Sequence, residues 1–318
     1  MLLLTLFACD TGPNYGPFGT MIRAHRKTLE TRPCDAKIVR ELAIGLRDAL
    51  AYEESLQTFR DYEAACEPHE SSVLMEHLEL AKDQKQTDEA VGVALALVTI
   101  EPENGVFRDG YIDLLLESGR PEVAIPLLQT AYWANHKETD KLKQLAQAQE
   151  DAGMTCDALV SWVQLWWVSY DERGGAAVAV ERLDPSCPGV QLTEEGTVKQ
   201  DPESGYWRFD VGFGETSSLL GLDTSAPLTY ISTEVFQKLE GATAGPQGVT
   251  MKAGTGVLVG DVYTVDTVRV GTVSVKNVQV LVVPRVSGGI DGFIGLNIGS
   301  RMRMREKTEK LWTLTPPG

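Results

Sequence analysis

The sequence predicts a multidomain α and β chain, in which a helical solenoid is followed by an all-β domain. Three observations predict this fold class. Small and large apolar residues recur with a period of 34 to 35 residues between residues 36 and 170. Short runs of β-branched residues, separated by glycines, take over near residue 206. All 4 histidines lie before residue 140, whereas most of the 30 glycines lie after residue 188, so the composition changes near the same point.

The composition is that of a folded protein and excludes several classes. The 318 residues are 43% hydrophobic and 23% charged, which suffices for a sizeable core and for about two domains. The 45 acidic residues outnumber the 29 basic ones, and the net charge of -16 repels phosphates, so we expect no nucleic-acid partner. No apolar run reaches the roughly 20 residues of a membrane-spanning helix.

The first nine residues are typical of a processing segment rather than of a fold. The apolar run from Met1 to Ala8 is too short to cross a bilayer and is followed by Cys9 and turn-forming residues. This arrangement resembles the end of a bacterial lipoprotein signal, with residues 10–30 as a tether. The resemblance implies a lipid on Cys9 and a membrane-anchored position in the cell envelope, facing the periplasm or the exterior. A soluble exported protein and an unprocessed apolar N-terminus are the alternatives.

Four further cysteines, Cys34, Cys66, Cys156 and Cys187, would meet an oxidising compartment in an exported chain. Their even number fits two disulfides. The helical layout favours the pairs Cys34–Cys66 and Cys156–Cys187, because each pair would join the start of one helix to the end of the next antiparallel helix. Free buried thiols are the alternative. The sequence has no Cys-x-x-Cys pair, so we expect no metal site.

A repeat with small residues in register runs through residues 36–170. Ser55, Ala90, Ala124 and Ala158 are separated by 35, 34 and 34 residues. Large residues recur four positions later, with Ala94 the exception, and mostly large residues recur seven positions later, which is the spacing of the buried stripe of an amphipathic helix. Glycines at positions 119 and 153, five residues before a small residue, fit the turn between two helices.

This pattern resembles a tetratricopeptide array of about four degenerate repeats, to which we assign residues 31–184. A capping helix is expected near residues 174–183, and the prolines that follow predict a linker at 185–204. The resemblance implies that the repeats dock a protein or peptide partner on a concave surface. Aromatic residues crowd the last repeat and either pack against the cap or the next domain or form a ligand-binding patch. They are Trp162, Trp166, Trp167 and Tyr170.

The second half contains two motifs that carry chemistry. In the first, an apolar strand delivers Asp223 into a tight turn, after which an apolar segment resumes. The second follows about seventy residues later, where residues 291–298 read Asp-Gly-Phe-Ile-Gly-Leu-Asn-Ile. Valine-rich runs between and around the two motifs predict strands.

Together the two motifs resemble the retropepsin-like aspartic protease family in its bacterial form, and we assign residues 205–318 to such a domain. The resemblance implies a retropepsin-like acid protease barrel, with Asp223 as the catalytic residue and Thr224 and Ser225 supporting its turn. Ser225 stands where the family has glycine. The remaining residues that the resemblance implies are Asp291, Gly292, Gly295 and Asn297 of the second motif and the flap candidates Gly254, Thr255 and Gly256.

The chemistry of this family requires two carboxyl groups. When held about 3 Å apart they share one proton, so that one activates a water while the other protonates the peptide carbonyl. The motif occurs once in this half, so the second aspartate must come from another chain of a twofold homodimer. The expected substrate is a peptide or protein bound in extended form under the flap. The alternatives are a turn residue in an inert β domain and a non-catalytic lipoprotein scaffold in which both domains bind.

The residues that other catalytic mechanisms would need are missing from the β half of the sequence. No histidine follows residue 140, which excludes a Ser-His-Asp triad or a histidine-ligated metal built within the β half. No phosphate-binding loop is present, and we expect no cofactor. The tripeptide at residues 10–12 imitates the Asp223 motif, but it directly follows the apolar leader and is interpreted as tether. Arg301, Arg303 and Arg305 are expected to form a solvated strand edge.

Overall fold

A computed structural model describes residues 13–187, 196–199, 207–254, 256–271, 273–301, 303–308 and 311–315. The chain divides into two compact units, the first ending at Gly119 and the second beginning at Arg120. The first unit is helical, and the second combines helices with β-sheets. Among the helices of the described residues, none is both long enough and apolar enough to cross a membrane.

The first unit consists of helices whose lengths repeat. A short 3-10 turn at Gly16–Phe18 precedes them. From the second helix onward, opening helices of 13 residues alternate with closing helices of 14. The helices are α1 Gly19–Leu29, α2 Ala36–Asp48, α3 Tyr52–Ala65, α4 Ser71–Asp83, α5 Thr87–Ile100 and α6 Gly105–Glu117.

The second unit opens with helices that continue this alternation. They are α7 Pro121–Ala134, α8 Thr139–Asp151, α9 Thr155–Val168 and α10 Arg173–Leu183. α7 and α9 have 14 residues and α8 has 13. α10 lies where the capping helix is expected and packs on α9. The prediction of a helical repeat region is therefore confirmed.

Small side chains let opening and closing helices approach each other closely. Ser55, Ala90, Ala124 and Ala158, each the fourth residue of its closing helix, are at most 1% exposed. The Ser55 hydroxyl also donates a 2.7 Å hydrogen bond to the backbone oxygen of Ala43 in the preceding helix. A larger side chain at Ser55, Ala90 or Ala158 would force the closing helix away from the opening helix of the same unit, because protein interiors are close-packed.

The same backbone turn separates each opening helix from the closing helix after it. Leu50, Lys85, Gly119 and Gly153 occupy equivalent positions and have φ angles of 60°, 58°, 69° and 74°. This left-handed conformation costs a non-glycine residue roughly 1 to 2 kcal/mol, whereas glycine adopts it readily. The two earlier turns are therefore strained, and the two later ones are not.

We expect Leu50→Gly and Lys85→Gly each to raise the free energy of unfolding by roughly 0.5 to 1 kcal/mol, because both side chains are exposed and the strain is relieved. Gly119→Ala and Gly153→Ala should lower it by about 1 kcal/mol, although neither new methyl would touch a neighbour. Urea unfolding of the full chain measures these changes. Leu95→Gly, at an exposed position inside α5, is the control and should lower it by about 1 kcal/mol. A loss of stability in both turn-glycine variants would contradict the assigned strain.

One disulfide lies in each unit. Cys34 is joined to Cys66 at a Cα–Cα distance of 5.5 Å, and Cys156 is joined to Cys187 at 5.4 Å. These are the pairs that the helical layout favours. The first links the segment before α2 to the end of α3, and the second links the start of α9 to the segment after α10. By restricting the unfolded chain, each crosslink is expected to stabilise its unit.

Two aromatic residues of the last repeat take part in packing. Trp162 is buried, and the Trp167 indole donates a 2.6 Å hydrogen bond to the backbone oxygen of Ser300 in the β domain of the same unit. Tyr170 is 84% exposed and lies against the Arg173 guanidinium. Trp162 and Trp167 therefore take part in packing around α9, whereas Tyr170 does not, and the role of the whole aromatic group stays a prediction.

Among the described residues, the rest of the second unit forms a β domain with two sheets and two short helices. The strands are β1 Gly196–Lys199, β2 Arg208–Phe213, β3 Thr216–Leu222, β4 Thr229–Ser232, β5 Thr243–Ala244, β6 Val249–Ala253, β7 Gly256–Val270, β8 Val273–Val283, β9 Gly292–Ile294, β10 Arg303–Thr308 and β11 Leu311–Thr315. The helices are α11 Thr233–Phe236 and α12 Leu296–Gly299. A β domain after the helical repeats is therefore confirmed. The domain boundaries stay a prediction, since most of the expected linker at 185–204 lies outside the described residues.

The topology of the larger sheet brings both sequence motifs together. Its strand order is β2-β3-β9-β4-β8-β7-β5, with β6 paired to β7 and a further pairing between β2 and β7. The smaller sheet has the order β1-β11-β10. Valines such as Val211, Val268 and Val275 form the buried core of the larger sheet. β3 and β9 run parallel, with Leu220 opposite Gly292, so the ends of these two strands meet.

Candidate active site

Asp223 lies directly after β3, where this strand ends beside β9. Its backbone N–H donates a 2.9 Å hydrogen bond to the backbone oxygen of Ile294, and its backbone oxygen accepts one of 3.2 Å from Ala226. The first bond extends the parallel pairing by one residue, and the second closes a turn. The local sequence explains this, because apolar residues up to Leu222 continue the strand, whereas residues 223–225 are turn formers.

The Asp223 carboxyl group is 9% exposed and accepts four hydrogen bonds. Its Oδ1 accepts from the backbone N–H and the hydroxyl of Ser225, at 2.9 and 2.6 Å. Its Oδ2 accepts from the Tyr230 hydroxyl at 3.3 Å and from the backbone N–H of Gly254 at 3.0 Å. None of these partners from the described residues is a second carboxyl group. A single chain therefore presents one acid of the predicted pair.

Ser225 fits the turn without the backbone freedom of glycine. It is not among the described residues with positive φ, so its Cβ introduces no left-handed strain. What serine adds at this position is a hydroxyl donor to Asp223 Oδ1. The neighbouring Thr224 is exposed and so is accessible to a partner.

The second motif braces the strand that carries Asp223. The backbone N–H of Asp291 donates to the backbone oxygen of Leu219, and the Asp291 carboxylate accepts from the Leu219 N–H, both at 2.9 Å. Gly292 and Gly295 pass so close to the backbone of β4 and of the residue before it that a Cβ would lie 2.2 Å from an oxygen there. Glycine is therefore required at both positions for close approach.

Asn297 joins the second motif to β4 and β8. Its side chain is 4% exposed, and its Oδ1 accepts from the backbone N–H and the hydroxyl of Thr229 at 2.7 and 2.9 Å. Its Nδ2 donates a 2.6 Å hydrogen bond to the backbone oxygen of Gln279. These bonds hold the start of β4 in place, directly after the Asp223 turn.

The hairpin of β6 and β7 closes over Asp223. Gly254 lies at its tip and Gly256, with a φ of 118°, begins the returning strand. A Cβ on Gly254 would lie 2.9 Å from the Ser225 hydroxyl oxygen and 3.1 Å from Asp223 Oδ1. The tip of the hairpin therefore lies in direct contact with the Asp223 turn. Thr255, the remaining flap candidate, lies outside the described residues.

Tyr230 belongs to the site although neither motif points to its role. It is 1% exposed, donates its hydroxyl to Asp223 and stacks on Phe293 with ring centroids 5.1 Å apart. Phe293 comes from the second motif, so this ring contact links the two motifs. A buried tyrosine in a strand is usually read as core, and only its hydroxyl partner distinguishes it.

His136 reaches the same region from the turn between α7 and α8. Its ring hydrogen-bonds the backbone of Lys252 in β6. Burial lowers the pKa of His136, and the positive charges of Lys137 and Lys252 lower it further, while the negative charge of Asp223 opposes them. Histidine is absent from the β half of the sequence, and the helical half supplies one here.

Three further predictions have different outcomes. Cys9 lies outside the described residues. The prediction that Arg301 belongs to a solvated strand edge is wrong, because this residue is 4% exposed and lies in the turn between α12 and β10. The side chains of Arg303 and Arg305 lie outside what the structure describes.

Residues 211–298 match the family described as aspartyl protease. The matched stretch contains the Asp223 turn, the flap hairpin and the second motif in their expected order. No curated protein matches the chain.

Several solved structures are similar to parts of the chain. YrrB, described as a TPR protein with an unusual peptide-binding site, is 18% identical with a TM-score of 0.36, and the similarity covers 52% of this chain and 84% of that one. The MamA protein is 11% identical with a TM-score of 0.34, covering 53% and 84%. A retropepsin-like aspartic protease from Rickettsia conorii is 16% identical with a TM-score of 0.29, covering 38% and 90%. The repeat of the helices and the family match identify TPR-like helical repeats joined to an aspartic-protease-like domain.

Proposed function

We propose that this protein is an aspartic endopeptidase that acts as a homodimer on peptide or protein substrates. The observation that carries the proposal is the position of Asp223 under a glycine hairpin, in a turn that the second motif braces. These three features occur together in the segment that matches aspartyl proteases.

In this mechanism the two Asp223 carboxyl groups of the dimer hold one proton between them. The ionised carboxylate takes a proton from a water molecule, whose oxygen attacks the carbonyl carbon of the peptide. The other carboxyl gives its proton to the carbonyl oxygen, which forms a neutral tetrahedral diol. The first carboxyl then protonates the amide nitrogen as the C–N bond breaks, and the second regains a proton from the diol. The products are one peptide with a new carboxyl group and one with a new amine.

The proposal of a dimer follows from the single copy of the motif in the β half of each chain. One aspartate cannot act as base and acid at the same moment, so the second must come from a symmetry-related chain. Thr224 lies beside Asp223 and is exposed, which makes it the residue through which the two turns would bond across the twofold axis.

Concentration dependence tests hydrolysis by a dimer. We expect the rate of peptide cleavage per chain to rise with chain concentration and to level off where sedimentation shows the dimer. Adding an excess of Asp223→Asn chains to a fixed amount of wild-type chain should lower the rate, because mixed dimers lack one carboxyl group. A monomer that cleaves the peptide at a constant rate per chain would contradict the proposal.

Removal of the Ser225 hydroxyl should raise activity. This hydroxyl lies 2.6 Å from Asp223 Oδ1, where it competes with the substrate water and the partner carboxyl group. We expect Ser225→Gly to increase kcat/KM about tenfold, the equivalent of one hydrogen bond to a charged group. Ser225→Ala is the matched variant and should behave alike, because the backbone at this position does not require glycine. A fall in activity in both variants would show that the hydroxyl assists the reaction.

We further propose that the helical repeats dock a protein partner and that a lipid on Cys9 anchors the chain to a membrane of the cell envelope. A cleft of about 510 Å³ in the first unit, lined by residues that include Arg26, Glu54 and Tyr62, supports docking. The anchor rests on the sequence of the N-terminus. Cys9→Ser should release the protein from the membrane fraction, and retention of this variant would contradict the anchor.

A non-catalytic scaffold is the second candidate function. The hydroxyl of Ser225 and the amide of Gly254 occupy both carboxylate oxygens of Asp223, which favours a closed binding domain. Substrate cleavage that depends on Asp223 distinguishes the two candidates.

A further inference from the structure

A cavity of about 340 Å³ lies within the second unit, where helices α7 to α9 face the β domain. Its volume is in the range of small-molecule sites. Among its lining residues, two carry a charge, Arg301 and Asp157. The other polar groups are uncharged amides and hydroxyls, including those of Tyr132, Gln149 and Gln164. Asp223 does not line it, whereas Asn297 of the second motif does, so this cavity borders the proposed active site without including its carboxyl group.

Arg301 supplies an unsatisfied positive charge to this cavity. The residue is 4% exposed, and its Nε and Nη1 have no hydrogen-bond partner within the described part of the chain. Burial lowers the pKa of Arg301 to about 10, with the charge of Asp157 opposing, so the guanidinium stays charged at neutral pH. A buried guanidinium with two unpartnered nitrogens is costly, and an acceptor that enters the cavity would relieve this cost.

The Tyr132 hydroxyl lines the same cavity and is also buried without a hydrogen-bond partner among the described residues. Its residue is 1% exposed, and its oxygen has no partner in the described residues. Burial raises the pKa of Tyr132, so its hydroxyl remains a neutral donor. The cavity is therefore lined by unpartnered donors from two residues, which suit a negatively charged ligand.

Asp157 limits what that ligand can be. It lies in the first turn of α9 and is exposed. Among the described residues that line the cavity, Arg301 is the one cation. The charge of Asp157 acts on Arg301, yet Nε and Nη1 of the guanidinium have no hydrogen-bond partner among the described residues. A simple anion would be attracted by Arg301 and repelled by Asp157. A ligand that carries both a carboxylate and an ammonium group would be favoured by both residues.

We propose that this cavity binds a small zwitterion, a free α-amino acid or a dipeptide, with its carboxylate on Arg301 and its ammonium on Asp157. The Tyr132 hydroxyl donates a further hydrogen bond to the carboxylate. The amides of Gln149 and Gln164 face the remainder of the ligand. Binding here requires neither hydrolysis nor a dimer.

Titration calorimetry on the full chain tests this proposal, with the common free α-amino acids and a set of dipeptides as probes. The Asp223→Asn chain is measured beside the wild type, so that products of hydrolysis cannot contribute. We expect a free amino acid or a dipeptide to bind, and its N-acetyl derivative and its C-terminal amide each to bind at least tenfold more weakly. Tighter binding by free amino acids would identify an amino acid as the ligand, and tighter binding by dipeptides would identify a dipeptide. Absence of binding by every zwitterion up to about 10 mM would overturn the proposal.

Two variants separate binding from a structural role. Arg301→Met should abolish zwitterion binding and raise the melting temperature of the ligand-free chain, because it removes an unpartnered buried charge. Asp157→Asn, at an exposed position, should let the N-acetyl derivative bind as tightly as the free zwitterion. Arg285→Met, on the surface, is the matched control and should change neither property. A lower melting temperature in Arg301→Met together with unchanged discrimination in Asp157→Asn would show that Arg301 is structural.

Discussion

Asp223→Asn should lower kcat/KM for peptide cleavage by about a thousandfold or more. An amide can neither take a proton from water nor share one with its twofold mate, so both the base and the acid of the dimer are lost. The asparagine oxygen can still accept from the Ser225 N–H, so the turn should keep its place, whereas an amide nitrogen replaces the oxygen that accepts from the Gly254 N–H, so this bond to the flap hairpin is lost. A quenched fluorescent peptide measures cleavage, and circular dichroism reports whether the fold is retained.

Asp266→Asn is the matched control for this substitution. Asp266 lies on β7 of the same domain and is exposed, so loss of its charge should leave the rate within about twofold of the wild type. Full activity in Asp223→Asn would show that another group cleaves the peptide. The protein would then be interpreted as a docking scaffold.

Gly295→Ala should lower the free energy of unfolding of the second unit by about 3 kcal/mol. A Cβ on Gly295 would lie 2.2 Å from the backbone oxygen of Leu228 and 2.7 Å from the backbone nitrogen of Thr229. The φ of Gly295 is −91°, which alanine adopts readily, so the effect is one of contact and not of conformation. Since Leu228 and Thr229 follow the Asp223 turn, their displacement should also reduce peptide cleavage.

Gly299→Ala, four residues further along, is the control. Its new methyl would meet only the Leu222 side chain, at 3.5 Å, which is an ordinary contact. Urea unfolding should therefore place Gly299→Ala within about 0.5 kcal/mol of the wild type. Equal stabilities for Gly295→Ala and Gly299→Ala would contradict the close approach on which the role of the second motif depends.

The helical half could be predicted in detail because its constraints are local. A small, buried residue recurs at the same position of each closing helix, at Ser55, Ala90, Ala124 and Ala158. The turn before each closing helix repeats as well, which makes the period visible in a single sequence. What the period does not reveal is the strain at Leu50, since an exposed leucine looks unremarkable there.

The residues of the candidate active site that lie within short stretches of the sequence could be predicted. Asp223 and the glycines of the second motif lie in short segments whose shape depends on strand ends and tight contacts. The Tyr230 hydroxyl and the His136 ring have no such pattern, because each reaches the site through a fold contact between distant segments.

For Arg301 the sequence does contain a pattern, but the prediction made from it is wrong. Alternating arginines are typical of an exposed strand edge, but the chain enters β10 only at Arg303, and Arg301 lies in the preceding turn with its guanidinium inside the unit.

The order of residues alone was sufficient for the helical period, the succession of helices and strands, and the two motifs around Asp223, because these depend on neighbours within a few turns or strands. Folding in three dimensions was needed to close Gly254 over Asp223 and to bury Arg301 opposite Asp157. Contacts of this kind join segments from 31 to 144 residues apart. The packing of whole elements sets them, and no spacing along the chain records which side chains will meet.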